Sequence, residues 1–119
     1  MNIEIKVLDN EKIAEIHSAE VIINTLDDAL DLIGNSNYYG SNKIILKEEN
    51  MTAEFFDLKT GIAGEILQKF STYGMKLAII GDFSKYPGRS FRDFIYESNK
   101  IGRICFVGSR EEAVKSLKA

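Results

Sequence analysis

Residues 51–82, MTAEFFDLKTGIAGEILQKFSTYGMKLAIIGD, carry the densest run of apolar residues in the chain and decide how it folds. Read by period, this stretch is one long helix, a turn at Gly74 and a strand that stops at Gly81 and Asp82. Phe55, Phe56, Ile62, Ala63, Ile66, Leu67 and Phe70 recur at helical spacings and form a wide core-facing stripe. Gly61 and Gly64 interrupt it, each costing roughly 1 kcal/mol against alanine in a helix interior. Two structural compensations are open. One is a break near residues 57–60, with Thr60 capping a second helical stretch. The other is close packing of the backbone on a sheet. Gly74 suits a positive-φ helix stop. The run KLAIIG (76–81) is continuously apolar, as a strand buried on both faces is.

Outward from this centre the same signals repeat. Residues 43–46 (KIIL) read as a second strand of that buried kind, and residues 103–108, with Ile104, Phe106 and Val107 apolar, as the last strand. Residues 2–8 alternate, with Ile3, Ile5 and Val7 on one face and Glu4 and Lys6 on the other, which is a half-buried strand. A polar turn at 9–11 and an apolar pattern over 12–16 complete an opening hairpin. Residues 21–23 read as a short strand or a packed loop. Residues 25–32 read as a helix capped by Thr25, which accepts from the backbone at Asp28, with Gly34 as its stop. Asp27, Asp28 and Asp31 suit the positive end of that helix. They do not have the spacing of a calcium loop. Residues 35–42 (NSNYYGSN) read as a turn-rich loop in which Tyr38 and Tyr39 either cover the core edge or present a surface. Phe91, Phe94 and Ile95 mark an amphipathic helix over 90–98, and Ser109 with Glu112 forms a capping box for a last helix. Strands alternating with helices imply crossover connections and a mostly parallel sheet with right-handed crossings. The expected fold is a single small α/β domain: a mixed, mostly parallel sheet that begins with a β-hairpin, with helices packed on it.

Length and composition narrow the classes. The 119 residues suffice for one domain with one core. A net charge of -3 argues against a nucleic-acid-binding surface, which shows as excess Lys and Arg. The single cysteine, Cys105, excludes an internal disulfide and a multi-cysteine zinc site, and its apolar neighbours suit a buried thiol. No apolar run is long enough for a membrane helix, and the N-terminus does not read as a signal peptide, so a cytoplasmic location is expected.

Two resemblances attach to particular residues. The runs EFFDLKTGIAGEILQKF (54–70), KLAIIGDF (76–83), FRDFIYESN (91–99) and FVGSREEA (106–113) resemble, in that order, a bacterial family catalogued as domain of unknown function 4180. That resemblance implies no activity. More distantly, residues 44–46, Asp57, Thr60, Gly61, 77–80 and 109–113 can be laid on the plan of the sulfate-transporter and anti-sigma-factor-antagonist (STAS) fold. There a strand leads to an Asp-Ser-Ser-Gly-type loop opening a helix. The acceptor serine of that loop is absent here, since Leu58 follows Asp57 and Lys59 precedes Thr60. The resemblance implies a regulatory or protein-interaction module with a protein partner, such as a kinase or a transcription regulator.

The chemistry-bearing residues are few. Asp57, Lys59 and Thr60 lie near a helix start, Asp82 lies beyond a parallel strand where ligands bind in open α/β sheets, and Arg89 and Arg92 make a small basic spot. Thr60 reads as a helix cap or as a site where phosphate would be favoured by a helix N-terminus. Asp82 reads as a cap or a ligand contact. His17, near Ser18 and Glu20, has no third partner placed by spacing. No nucleophile–base–orienter set can be assembled, and TGIAG is not a phosphate loop. Neither a metal nor a cofactor is expected. A pocket joining Tyr38, Tyr39, Asp82 and Arg89 would suit a small polar ligand, which keeps a small-molecule-binding protein or small enzyme as the alternative.

Overall fold

Every parallel step in this sheet goes in the same direction, and that decides where the helices lie. In the computed structural model, which describes residues 2–8 and 10–118, the strands are β1 (Asn2–Leu8), β2 (Glu11–His17), β3 (Lys43–Lys47), β4 (Lys76–Ile80) and β5 (Ile104–Val107). They form one sheet in the order β1-β2-β3-β4-β5. β1 is antiparallel to β2 and the remaining pairs are parallel. The crossover helices are α1 (Leu26–Tyr38), α2 (Ile62–Thr72) and α3 (Arg89–Ile101). Right-handed crossings that always advance the same way put all three on one face.

The packing agrees. Ala29, Leu32 and Ile33 of α1, Ala63, Ile66 and Phe70 of α2, and Phe91 of α3 share one core with Ala14, Ile16, Ile44, Leu46, Leu77, Ile79 and Phe106. The last helix, α4 (Arg110–Leu117), packs Ala113 and Leu117 on the opposite face against Ile13, Ile45 and Ala78. Fully buried side chains as large as Phe55 and Phe70 contribute about 1.5–3 kcal/mol each. Because the strand order never reverses, the sheet has no switch-point crevice of the kind that usually holds a ligand. Any site at the carboxyl ends of the strands must be built by the loops.

Several expectations are corrected. The long helix expected from residue 51 is instead two 3-10 turns, Ala53–Phe56 and Leu58–Thr60, followed by α2. Thr52 and Asp57 take backbone N–H groups of Glu54 and Lys59 on their side chains, competing with a continuous helix. Gly61 then turns the chain at φ 77, so the break near 57–60 is its explanation. Close packing is not, because an added Cβ at Gly61 or Gly64 meets nothing. Gly34 does not stop α1, which runs through Asn35 to Tyr38 because Ser36 continues the buried stripe of Ala29, Leu32 and Ile33. The stop comes at Gly40, with φ 82. Residues 21–23 form a packed loop with a single parallel bridge from Ile23 to Met51. In the hairpin turn, Asn10 takes φ 66; Asp9 lies outside the described residues. Among the described residues no helix is long and apolar enough to cross a membrane.

Candidate functional site

The loops after β3 and β4 meet at the carboxyl ends of the strands. Asp57 and Asp82 play the same local part in each. Both sit in extended backbone (φ -107 and -106) and accept from the N–H two residues on, opening a 3-10 turn. Asp82 also takes the Ser84 hydroxyl at 2.6 Å, and the Ser84 hydroxyl and N–H hold its pKa below the ordinary value. The cap reading of Asp82 therefore holds, with its carboxylate engaged by its own turn. Thr60 is likewise engaged locally, although the N-cap of α2 is Gly61 and not Thr60 as expected. Its Oγ1 lies 2.8 Å from the Glu54 carbonyl and 2.9 Å from that of Asp57, and accepts from the N–H of Ile62 at the start of α2.

Between the two loops lies a groove of about 410 Å³, walled by Phe56, Asp57, Leu58 and Lys59 on one side and by Pro87, Gly88, Ser90 and Phe91 on the other. Rings form its floor. Phe56 stacks on Tyr86 at 4.8 Å and meets Phe91 edge-on at 6.0 Å. Aromatic pairs of this kind add about 0.5–1.5 kcal/mol each beyond area burial, so the floor is stiff. Gly88 starts α3 with φ 101 and gives no side-chain cap, and the first turn of α3 contains no acid. The positive end of that helix is therefore uncompensated from within its own sequence. Lys59 is exposed, and so are Arg89 and Arg92. Arg89 lies 3.9 Å from Asp93, one turn along the helix.

Beneath the second loop is a polar group that spacing does not reveal. Glu48, the first residue beyond β3, accepts from the Tyr86 hydroxyl and pairs with Lys85 at 2.8 Å. Burial pushes its carboxyl up, but Lys85, Tyr86 and the Asp82 N–H outweigh that and leave its pKa below the ordinary value. Burial and the Glu48 carboxylate raise the Tyr86 hydroxyl well above its own. Gly81 makes room for this contact: a Cβ there would lie 2.7 Å from Glu48 Cβ and Oε1. Asn50, fully buried, joins the neighbouring loops. Its Nδ2 donates to the carbonyls of Ser18 and Glu20 at 2.9 and 2.8 Å, and its Oδ1 accepts from Lys47 N–H at 2.9 Å. The signal for Glu48 was its place directly after a parallel strand, the same argument that singled out Asp82.

The structure thus brings Asp57, Lys59, Thr60, Asp82, Arg89 and Arg92 to one end of the sheet. It does not bring Tyr38 and Tyr39 there. They end α1 just before β3 begins, so they lie at the opposite end, and the pocket joining them to Asp82 and Arg89 does not exist. Nor do they cover the core, since Tyr38 is 85% exposed. His17 ends β2 and meets Glu4 at 2.9 Å, while Ser18 is turned to the N–H of Glu20.

Among the described residues, ligand atoms of Glu4, Glu15 and His17 lie close enough together to hold a metal ion. Arg110 already takes both Glu15 oxygens at 2.8 and 3.0 Å, and Lys6 lies 3.5 Å from Glu4 and 3.7 Å from Glu15. The local charge of the carboxylates is balanced by these cations. Cys105 is buried, and burial raises its thiol pKa, as an inert core residue requires.

No curated protein and no solved structure matches the chain. A family model does, across residues 8–117, and on that match the chain belongs to the family described as Domain of unknown function (DUF4180).

Proposed function

We propose that this chain is a protein-interaction module whose groove between Phe56–Lys59 and Pro87–Phe91 takes an acidic or phosphorylated side chain of a partner together with an apolar neighbour. The observation that carries this reading is the uncapped, acid-free start of α3 facing Lys59 across an aromatic-floored groove. A helix N-terminus favours a negative group, and Lys59 adds a mobile cation. Phe56, Leu58 and Phe91 offer an apolar seat beside it. The STAS-like order of elements supports a regulatory role, with a kinase or transcription regulator as the class of partner. Thr60 is the matching switch candidate. Esterifying its Oγ1 removes the proton it donates to the carbonyls of Glu54 or Asp57, loosening the wall that holds Lys59.

The test is fluorescence anisotropy with a labelled peptide containing phosphoserine beside leucine. Binding should weaken with salt, and Lys59→Glu should weaken it about tenfold, ~1.4 kcal/mol. Equal binding by wild type and Lys59→Glu would remove the groove from the account.

A second reading, a small-molecule binder or small enzyme, draws on the convergence of Glu48, Lys85 and Tyr86 beside the same groove. A volume of about 410 Å³ lies in the range of ligand pockets. Thermal-shift screening against metabolites and nucleotides tests it, and uniform absence of stabilisation counts against it.

A further inference from the structure

We propose that the outer edge of β1 recognises a second copy of this chain, pairing antiparallel about a twofold axis at Ile5 and joining two five-stranded sheets into one. β1 ends the sheet, with β2 on its inner side. The direction of its outward backbone groups follows from β2. Lys12 turns its carbonyl toward β3, where Ser41 Oγ donates to it at 2.8 Å. Lys12 and its partner Val7 are therefore a non-hydrogen-bonded pair. By alternation, so are Ile5 with Ala14 and Ile3 with Ile16. The N–H and C=O groups of Ile3, Ile5 and Val7 consequently point to the free edge.

The sequence of β1 is self-complementary in one register. An axis at Ile5 sets Ile5 against Ile5, Ile3 against Val7 and Glu4 against Lys6. The outward-facing residues then form the hydrogen-bonded pairs. Glu4 and Lys6 fall in the non-hydrogen-bonded pairs, where side chains approach most closely and opposite charges stabilise. An axis at Glu4 or at Lys6 would set like charges face to face. On the other face of the strand, Ile3 and Ile5 are half-buried and Val7 is 63% exposed, so a second copy adds apolar neighbours to residues the helices leave uncovered.

The opposite edge shows what a closed one looks like here. Ser98 Oγ donates to the carbonyl of Ile104. The Asn99 carboxamide donates to the Phe106 carbonyl at 3.1 Å and accepts from its N–H at 2.6 Å. Side chains of α3 thus occupy the outward groups of β5. Among the described residues, none does so for β1. A lysine on an edge strand commonly blocks pairing, but in this register Lys6 meets a carboxylate.

Sedimentation equilibrium tests the proposal. The wild type should give twice the mass of one chain. Lys6→Glu, which faces Glu4 with a like charge, should halve it, and the exchange Glu4→Lys with Lys6→Glu should restore it. Ile5→Pro leaves every charge in place and removes the central outward N–H, a substitution edge strands tolerate. It should sediment as one chain with an unchanged circular-dichroism spectrum. A wild type that stays a single chain at every concentration would overturn the proposal. So would a dimer that survives both Lys6→Glu and Ile5→Pro.

Discussion

At the amino ends of the parallel strands, Lys12, Lys43, Lys76 and Arg103 line a cavity of about 440 Å³ together with Glu11. At the carboxyl ends, Lys59 borders a groove of similar size whose lining is mostly apolar. The first end carries more positive charge, but two of its cations, Lys43 and Arg103, already have partners. α1 and α2 finish there, and their terminal carbonyls favour cations. Lys43 pairs with Glu11, and Arg103 donates to the Met75 carbonyl at 2.9 Å. At the second end the pairing is reversed. The carboxylates of Asp57 and Asp82 are engaged by their own turns and that of Glu48 by Lys85 of the neighbouring loop, while the first turn of α3 holds no acidic residue. A count of charges alone would favour the amino end; the proposed groove rests instead on which charges the fold has already matched.

Substitutions at the two ends should separate them, beginning with the largest effect. Asn50→Ala leaves the carbonyls of Ser18 and Glu20 and the N–H of Lys47 without their side-chain partner. Urea denaturation should show a loss of about 3 kcal/mol. A loss under 1 kcal/mol would mean water replaces the carboxamide.

Gly81→Ala drives a methyl into Glu48 and should cost about 2 kcal/mol by the same measurement. It should also displace the loop that carries Pro87 and Gly88. Peptide affinity unchanged in Gly81→Ala would break the link between the Glu48 contact and the groove.

Glu48→Gln sharpens the comparison through pH. The folded-state pKa of Glu48 is lowered from its ordinary 4.5, so its contribution is present above that value and is lost as pH falls through the folded pKa. The variant should be less stable than wild type at neutral pH by about 1 kcal/mol and should lose less on acidification below about pH 4.5. Parallel pH–stability curves would contradict this assignment.

The paired replacement Lys43→Met with Glu11→Leu, at the amino end, should change stability by less than about 1 kcal/mol in either direction. A buried ion pair is often matched by an apolar side chain of similar size. It should leave peptide binding untouched.

Much of the architecture was legible because it rests on periodicity. The alternation of Ile3, Ile5 and Val7 and the continuous runs KIIL and KLAIIG marked strands, and the stripes of α1, α2 and α3 marked helices. Local caps were legible too. Thr25 accepts from Asp28 N–H, with the Asp28 carboxylate returning to Thr25 N–H. At Ser109 the forward bond forms with Glu112, but the Glu112 carboxylate returns to Gly108 N–H rather than to the cap itself. Element ends were less legible. Gly34 looks like a stop, but tertiary burial of Ser36 carries the helix past it. Gly64 remains without a structural requirement, and Gly64→Ala should add about 1 kcal/mol.

The site was half legible. Position alone located Asp82 at the carboxyl end of a strand and Asp57 and Lys59 near a helix start. It could not show that both aspartates face inward to their own turns, because an Asx turn and a ligand contact use the same residue at the same place. Glu48 and Tyr86 are far apart in sequence, and Asn50 reaches back to Ser18 and Glu20. Contacts of such long range follow from loop geometry that no local pattern encodes.

The most direct test of the central claim is a nitrogen-15 NMR titration of the uniformly labelled chain with the phosphoserine–leucine peptide. Shifts confined to Lys59, Gly88, Ser90 and Phe91, with Lys12, Gly40, Lys43 and Lys76 silent, are the expected result. Shifts centred on the lysines at the amino ends of the strands would contradict the account.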